Sequence, residues 1–282
     1  MKTKILYAAS LLSICSCLIS TQLFGQRSAE AVLAKRGEIY FSFTLKDKTL
    51  LPELATVISF DHGSSRAANT YLAYANAEEF ADFTQYQLPY SILKTPSLLS
   101  TAPMMTTRDL NKKTDYCNLS WDAYPTYGAY DSLMRAFAKD YPQICRLHEI
   151  GVLQSGHRLL ALEITDFPDQ DEDEPEVFYT STMHGDELTG YVLSLRLAAW
   201  LLCNYGTHAD ATHLVNETEI WINPLANPDG AYVDSDSTVN GATRFNAAFI
   251  DLNRNFPDLS ATTQGSFAEE TQLFMQFADN RQ

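Results

Sequence analysis

The stretch of the sequence best suited to chemistry is TSTMHGDELTG, residues 180–190. It places His184 and Glu187 three positions apart, at the end of an apolar run. An imidazole and a carboxylate are common zinc ligands in hydrolytic enzymes, which use three protein ligands and leave one position for water. Such a pair also occurs by chance on protein surfaces, so by itself it does not separate a zinc site from a surface ion pair.

Two later stretches contain further candidates. ANPDG, residues 226–230, has strong turn chemistry, because Pro fixes φ and Gly allows the left-handed region. TRFNAAFIDLNRNFPD, residues 243–258, surrounds a short apolar segment with four polar side chains: Arg244, Asp251, Asn253 and Arg254. An arginine offers a planar fork that matches a carboxylate, and the C-terminus of a peptide is such a group. The last stretch is therefore a candidate for binding a peptide terminus.

In this order, HGDE, NPDG and DLNRNFP resemble the motifs of the zinc metallocarboxypeptidases, the carboxypeptidase A-like M14 peptidases. The resemblance implies a Zn²⁺ cofactor and hydrolysis of C-terminal residues from peptides or proteins. It implies that His184 and Glu187 are two zinc ligands, and that Asn253 and Arg254 bind the terminal carboxylate of the substrate. The implied fold is α/β, with a carboxypeptidase A-like mixed central sheet and flanking helices.

Two more roles follow from the resemblance. Arg244 matches the catalytic arginine that stabilises the oxyanion of the tetrahedral intermediate, a charge that develops only during the reaction. Asp251 matches the aspartate that accepts a hydrogen bond from the first zinc histidine. Such a bond fixes the tautomer of the histidine and makes it a better ligand.

The resemblance also implies a third zinc ligand, a histidine on a strand after the next helix, and a later glutamate that acts as the general base. Neither is found in the sequence, whose six histidines all precede DLNRNFP. We therefore expect residues 115–282 to be the N-terminal half of a catalytic domain, truncated at the C-terminus, with little activity of its own. The alternative is a non-catalytic, secreted peptide-binding fragment or pseudoenzyme that keeps the carboxylate clamp of Asn253 and Arg254.

The periodicity of residues 115–282 predicts the elements that must position these side chains. One helix should bury a face that ends before Pro142 and is formed by Tyr130, Leu133, Met134, Phe137 and Tyr141. CRLHEIG and LLALEI are predicted strands joined by a hairpin. EVFYTSTM is almost continuously apolar, which is typical of a strand in the middle of a sheet, and EIWINPL is a second predicted buried strand. Strands that alternate with helices indicate an α/β domain.

Residues 26–94 have the pattern of a separate small unit. GEIYFSF, ATVISF, TYLAYA and YSIL are predicted strands, with LKDKTLLPEL and a helix capped by Asn76 and Glu79 between them. The order β-α-β-β-α-β is the split-βαβ (ferredoxin-like) arrangement. Its later half is similar to procarboxypeptidase activation domains, which leaves open an inhibitory prodomain and a permanent accessory domain. Residues 95–114 mix Pro, Ser and Thr without periodicity and are predicted to be an interdomain linker.

The N-terminus and the composition limit the remaining possibilities. Residues 1–25 place two lysines before an apolar run, which is the layout of a signal peptide and predicts a secreted or periplasmic protein without a membrane segment after cleavage. The formal net charge is −15 and no Lys/Arg cluster occurs, which argues against nucleic acid as a partner. Three cysteines follow the leader, and they allow one disulfide with a free thiol or three buried thiols: Cys117, Cys145 and Cys203.

Overall fold

A computed structural model describes residues 29–63, 69–99, 101–110, 116–168, 170, 172–257 and 266–280. The chain divides into two compact units, Met1–Thr95 and Pro96–Gln282. The predicted signal peptide, residues 1–25, lies outside the described residues. Within the described ranges, no helix combines the length and the apolar character needed to cross a membrane.

The first unit contains one four-stranded antiparallel sheet. Its strands are β1 (Ile39–Thr44), β2 (Ser59–Phe60), β3 (Thr70–Ala75) and β4 (Tyr90–Leu93), in the spatial order β2-β3-β1-β4. The described residues 29–36, before β1, are helical. Two further helices are α1 (Leu51–Val57) and α2 (Ala77–Gln85). With all neighbouring strands antiparallel, this is the predicted split-βαβ arrangement.

An aromatic core holds this sheet against its helices. Alternation along β1 turns Phe41 and Phe43 to the same face, where both are buried. Phe83 of α2 packs against both, with ring centroids 4.7 Å from Phe41 and 5.1 Å from Phe43. The core therefore forms because alternate residues of β1 point to one face of the sheet and the apolar face of α2 packs on that face.

The ends of the helices test the local predictions in this unit. The capping box is confirmed, because the Asn76 side chain accepts from the Glu79 amide and the Glu79 carboxylate accepts from the Asn76 amide, both at 2.9 Å. The strand predicted over ATVISF is largely wrong, since α1 continues to Val57 and the Ile58 amide still donates to the Leu54 carbonyl. Leu54 and Ile58, four residues apart, are both buried, as expected for one face of a helix and its end. Helix α2 ends at Gln85.

The second unit has a mixed sheet with the order β7-β8-β10-β9. After a short parallel pair, β5 (Met104–Met105) and β6 (Tyr124–Pro125), its strands are β7 (Cys145–Val152), β8 (Arg158–Ile164), β9 (Glu176–Thr180) and β10 (Glu219–Asn223). Strands β7, β8 and β10 are antiparallel neighbours, and β9 runs parallel to β10. Its helices are α3 (Thr107–Leu110), α4 (Tyr127–Asp140), α5 (Thr189–Asn204), α6 (Ala209–Asn216), α7 (Pro228–Ala231) and α8 (Glu269–Asp279).

The main core of this unit lies between the sheet and helices α4 and α5. The predicted face of α4 is confirmed for four of its five members, which are buried in this core: Tyr130, Leu133, Met134 and Phe137. The predicted hairpin between β7 and β8 and the burial of β10 along its full length are also confirmed. Helix α5 begins shortly after β9, so the loop between them carries HGDE to the end of a strand.

Strand β9 corrects the prediction that EVFYTSTM lies in the middle of a sheet. Only Glu176–Thr180 is a strand, and it lies at the edge of the described sheet. The Phe178 and Tyr179 side chains are 42% and 52% exposed, although Phe178 contacts Phe274 and Phe277 of α8. An apolar sequence is typical of a strand that has neighbours on both sides and is packed on both faces. Among the described residues, β9 has one strand neighbour, β10.

Two further features settle open points about the second unit. Cys117 and Cys203 form a disulfide, and Cys145 is a buried free thiol. The segment without periodicity, residues 95–114, contains the 3-10 turn Pro96–Leu98, strand β5 and helix α3. Met105 is buried in the main core, so part of this segment packs into the second unit through a few apolar side chains that give no period.

Candidate metal centre

The HGDE loop is held by backbone contacts from both sides. Thr182, just before it, has φ +59°, an uncommon value for a β-branched residue. Its carbonyl accepts from the Asn227 amide at 3.0 Å, and its hydroxyl donates to the Glu187 carbonyl at 3.3 Å. A Cβ on Gly185 would lie 2.3 Å from the Gly230 carbonyl carbon, so this position has room only for glycine. The loop between β9 and α5 is therefore held closely against the ANPDG turn.

Asp251 lies at the centre of the buried part of the site. Its side chain is 1% exposed, and its Oδ1 is 3.1 Å from His184 Nε2. Its Oδ2 accepts from Arg244 Nε at 3.1 Å, and the Asn253 amide donates to Oδ1 at 2.9 Å. Asp251 thus fixes the imidazole, the guanidinium and the start of the next backbone turn together.

The other ring nitrogen of His184 faces Glu187. Nδ1 is 3.1 Å from Glu187 Oε1, and the same oxygen is 3.5 Å from Arg244 NH1. Burial disfavours the charged imidazole, but the hydrogen bonds to Asp251 and Glu187 outweigh it and raise the pKa of His184. Glu187 is 54% exposed, so this side of the imidazole opens towards solvent.

The pair formed by His184 and Glu187 fits a zinc ion. Zinc lies about 2.0–2.2 Å from nitrogen and oxygen ligands. Two ligand atoms 3.1 Å apart can therefore both contact one ion. Among the described residues, no third His, Cys, Asp or Glu joins these two within ligand distance.

A cleft of about 600 Å³ opens beside this pair. Its lining is formed by the strand end and the HGDE loop together with one later residue: 180–184, 186–190 and Asn253. Arg254 is exposed and does not line this cleft, and its NH1 donates to the Asn253 carbonyl at 3.0 Å. The structure thus brings His184, Glu187, Arg244, Asp251 and Asn253 together and leaves Arg254 at the surface beside them.

The sequence gives ANPDG as a turn, and the structure gives it a second role. The Asn227 side-chain amide donates to the Met183 and Arg244 carbonyls at 3.3 and 3.4 Å, and its Oδ1 accepts from the Gly230 amide at 2.8 Å. The turn therefore joins the backbone of the HGDE loop to that of the Arg244 segment. The strong Asn-Pro-Asp-Gly signal is visible in the sequence, but these partners are distant in the chain and no local pattern names them.

Residues 130–281 match the zinc carboxypeptidase family, Peptidase_M14. The chain belongs to this family, and it is a member of the metallocarboxypeptidases, for which the family implies zinc.

Several carboxypeptidases are similar in sequence. Carboxypeptidase D of the duck Anas platyrhynchos is 37% identical over 179 residues, which cover 62% of this chain and 12% of that protein. Human carboxypeptidase D is 40% identical over 127 residues, 44% of this chain and 9% of that protein. The catalytic chain of rat carboxypeptidase N is 39% identical over 140 residues, 46% and 31% of the two chains. The chain thus spans a small part of the relatives it matches.

Two solved structures share the fold. Carboxypeptidase A of Helicoverpa armigera has a TM-score of 0.56 at 20% identity, covering 86% of this chain and 66% of that one. Thrombin-activatable fibrinolysis inhibitor has a TM-score of 0.57 at 15% identity, covering 87% and 68%. These likenesses support the carboxypeptidase A-like α/β fold predicted from the sequence.

Proposed function

We propose that this chain carries the first part of a zinc carboxypeptidase site that hydrolyses C-terminal residues of peptides or proteins. The observation that carries the proposal is the arrangement around His184, whose Nε2 faces the buried Asp251 while Nδ1 faces Glu187. When bound, zinc polarises a carbonyl and lowers the pKa of water. His184 and Glu187 are the residues proposed to bind it.

Asp251 prepares the metal-binding nitrogen. A carboxylate that accepts from Nε2–H fixes the tautomer in which Nδ1 carries the free electron pair. The same carboxylate accepts from Arg244 Nε, so the guanidinium is held in one orientation in a side chain that is only 9% exposed. We propose that Arg244 stabilises the negative oxygen of the reacting carbonyl, because a fixed positive donor needs no reorientation as that charge develops.

Asn253 and Arg254 are the proposed carboxylate-binding pair. Asn253 lines the cleft, and Arg254 follows it in the 3-10 turn Leu252–Arg254, in which the Asn253 amide donates to the Asp251 carboxylate. An amide and a guanidinium together supply donors for both oxygens of a terminal carboxylate. A free C-terminus is therefore the expected feature of the ligand.

Metal binding tests the zinc part of the proposal. We expect zinc to bind one-to-one and weakly, since His184 and Glu187 supply two ligands where hydrolytic sites use three. Calorimetric titration of the full chain should give binding that His184→Ala and Glu187→Ala each abolish. His213→Ala, at an exposed position of α6, is the matched control and should bind as the unaltered chain does. Zinc binding that survives His184→Ala would contradict the proposed site.

Peptide binding separates the proposed enzyme from a non-catalytic peptide-binding protein. Both ideas predict that amidation of the peptide C-terminus weakens binding, because both use the clamp of Asn253 and Arg254. Only the enzyme predicts that product appears, at a low rate, and that chelation stops it. Binding of free-acid peptide that persists in chelator with no product at any zinc concentration favours the binding protein.

We also propose that the protein is exported. The Cys117–Cys203 disulfide supports this, because such bonds persist mainly in oxidising compartments.

The unit formed by residues 26–94 has two proposed roles, an inhibitory prodomain and a permanent accessory domain. Cleavage of the chain within residues 95–114 distinguishes them. An inhibitory prodomain predicts tighter peptide binding after the cut, and a permanent accessory domain predicts no change.

A further inference from the structure

His157 lies in the turn between β7 and β8, outside the proposed zinc site, and both of its ring nitrogens face carboxylates. Nδ1 is 2.5 Å from Asp229 Oδ1, and Nε2 is 3.0 Å from Asp236 Oδ1. The Ser155 hydroxyl donates to the same Asp229 oxygen at 2.6 Å. His157 is 12% exposed at its side chain and Asp229 is 9% exposed, whereas Asp236 is 70% exposed.

This geometry requires the doubly protonated ring. A carboxylate can only accept, and a neutral imidazole has one N–H, so two ionised acceptors are both satisfied only by the imidazolium. Burial of the ring opposes the charge, but the hydrogen bonds to Asp229 and Asp236 outweigh it and raise the pKa of His157.

Asp229 connects His157 to the backbone that supports the proposed zinc site. It belongs to the ANPDG turn, and its neighbour Gly230 packs directly against Gly185 of the HGDE loop. The Gly230 carbonyl accepts from the Thr243 amide at 2.9 Å, one residue before Arg244. A shift of Asp229 therefore reaches the backbones of both halves of the site.

We propose that protonated His157 is a positioning residue that holds the ANPDG turn against the HGDE loop and releases it when the ring loses its proton. This inference goes beyond the proposed function, because His157 contacts Asp229 and Asp236 and none of the residues proposed to bind zinc or substrate. Its consequence is a pH-dependent rigidity of the zinc-binding loop.

The groups around His157 determine the pH range over which its protonation stabilises the fold. Asp229 and Asp236 face the ring, Tyr127 and Tyr232 lie against it with centroids at 4.3 and 6.3 Å, and Arg158 turns away to Glu149. The charge of Asp229 also acts on Glu270 of α8, whose pKa is raised chiefly by burial. A raised folded pKa stabilises the fold fully below the unfolded value of about 6.5, and this contribution is lost as the pH rises through the folded value.

The test follows the melting temperature of the zinc-free full chain between about pH 6 and about pH 9. We expect a fall of roughly 2–4 °C towards high pH. His157→Arg should stay near the low-pH value throughout, because arginine keeps its charge and donates to two carboxylates at every pH in this range. His157→Gln should stay near the high-pH value, and His213→Gln should behave as the unaltered chain does.

Two outcomes overturn the inference: a pH step that persists in His157→Arg, or identical profiles for His157→Gln and the unaltered chain. If His157→Gln does not fold, Asp236→Asn provides the second variant, because this exposed acceptor can be neutralised without burying a new group. It should shrink the pH step, and an unchanged step counts against the inference.

Zinc titration of the same variants distinguishes this inference from the proposed function. His157→Gln should bind zinc several-fold more weakly than the unaltered chain near pH 6, and the difference should narrow as the pH rises towards about 9 and His157 of the unaltered chain loses its proton. Absence of zinc binding in all variants rejects the proposed function and leaves the melting profiles to decide the role of His157. Equal zinc affinities at both pH values, with the melting profiles as expected, confine the effect to stability and reject its link to the site.

Discussion

The two sides of the candidate metal centre differ in how they are held. On the inner side, His184, Arg244 and Asp251 are each less than a tenth exposed and are joined by contacts of 3.1 Å. On the outer side, Glu187 is 54% exposed and Arg254 lies at the surface. Groups that need a fixed tautomer or a fixed charge are built into the core, whereas groups that meet a ligand remain accessible. Changes on the inner side should therefore alter stability, and changes on the outer side should alter binding alone.

The largest effect is expected for Asp251→Ala. It removes the carboxylate that Arg244 Nε contacts, while the 3.5 Å contact with the half-exposed Glu187 remains. The loss of one partner of a buried pair costs about 3–5 kcal/mol of unfolding free energy. Urea unfolding of the zinc-free chain measures it. Asp251→Asn keeps an acceptor for His184 and should lose less. A cost below about 1 kcal/mol for Asp251→Ala would show that the inner side does not depend on this carboxylate.

Gly185→Ala should come second. The added Cβ overlaps the Gly230 backbone, which cannot move aside as a side chain can, and overpacking of this kind costs roughly 1–3 kcal/mol. Gly128→Ala in α4 is the matched control, because its Cβ meets only the Thr107 hydroxyl at 3.5 Å. Equal stabilities of the two variants in urea would mean that the contact between the two turns is not rigid.

Glu187→Gln should separate binding from folding. Its contacts with His184 and Arg244 are half exposed, so we expect a change in unfolding free energy of at most about 1 kcal/mol. Zinc affinity should fall at least tenfold, since the neutral amide is a much weaker ligand. A large loss of stability with unchanged zinc affinity would show that Glu187 serves folding, as the inner residues do, and not metal binding.

The smallest effect on stability is expected for Arg254→Ala, within about 0.5 kcal/mol, as for most surface substitutions. Binding of a peptide with a free C-terminus should be lost, while an amidated peptide should bind as weakly as it does to the unaltered chain. Arg254→Lys keeps the charge but not the fork and should recover part of the affinity. Equal affinity of Arg254→Ala for the free-acid peptide would exclude this residue from the clamp.

The composition of this site could be predicted from the sequence because its members lie in short motifs. HGDE and DLNRNFP each specify a loop whose residues are neighbours in the chain, and the structure brings the two loops together. The role of ANPDG could not be predicted, because Asn227 donates to backbone carbonyls. Every residue has a backbone carbonyl, so the sequence does not indicate which ones are the partners. His157 was missed for a related reason, because its two carboxylate partners are 72 and 79 residues away.

The fold was predictable where periodicity and burial agree. The face of α4 and the capped helix α2 have both a clear period and a single buried side, so the pattern determines the structure. In ATVISF and EVFYT the residues are apolar enough for several arrangements. There the choice depends on which elements pack beside them, and that information lies elsewhere in the chain.

The Cys117–Cys203 disulfide has a consequence for a chain that is cut. It closes a loop across a sequence separation of 86 residues that contains β9, the HGDE loop and most of α5. The acidic segment at residues 166–175, largely exposed where the structure describes it, falls inside this loop. A protease that cuts there produces two pieces that migrate as one band without reductant and as two bands with it. The candidate metal centre therefore stays covalently connected to β7 and β8 after a cut that would otherwise separate these two strands from His184.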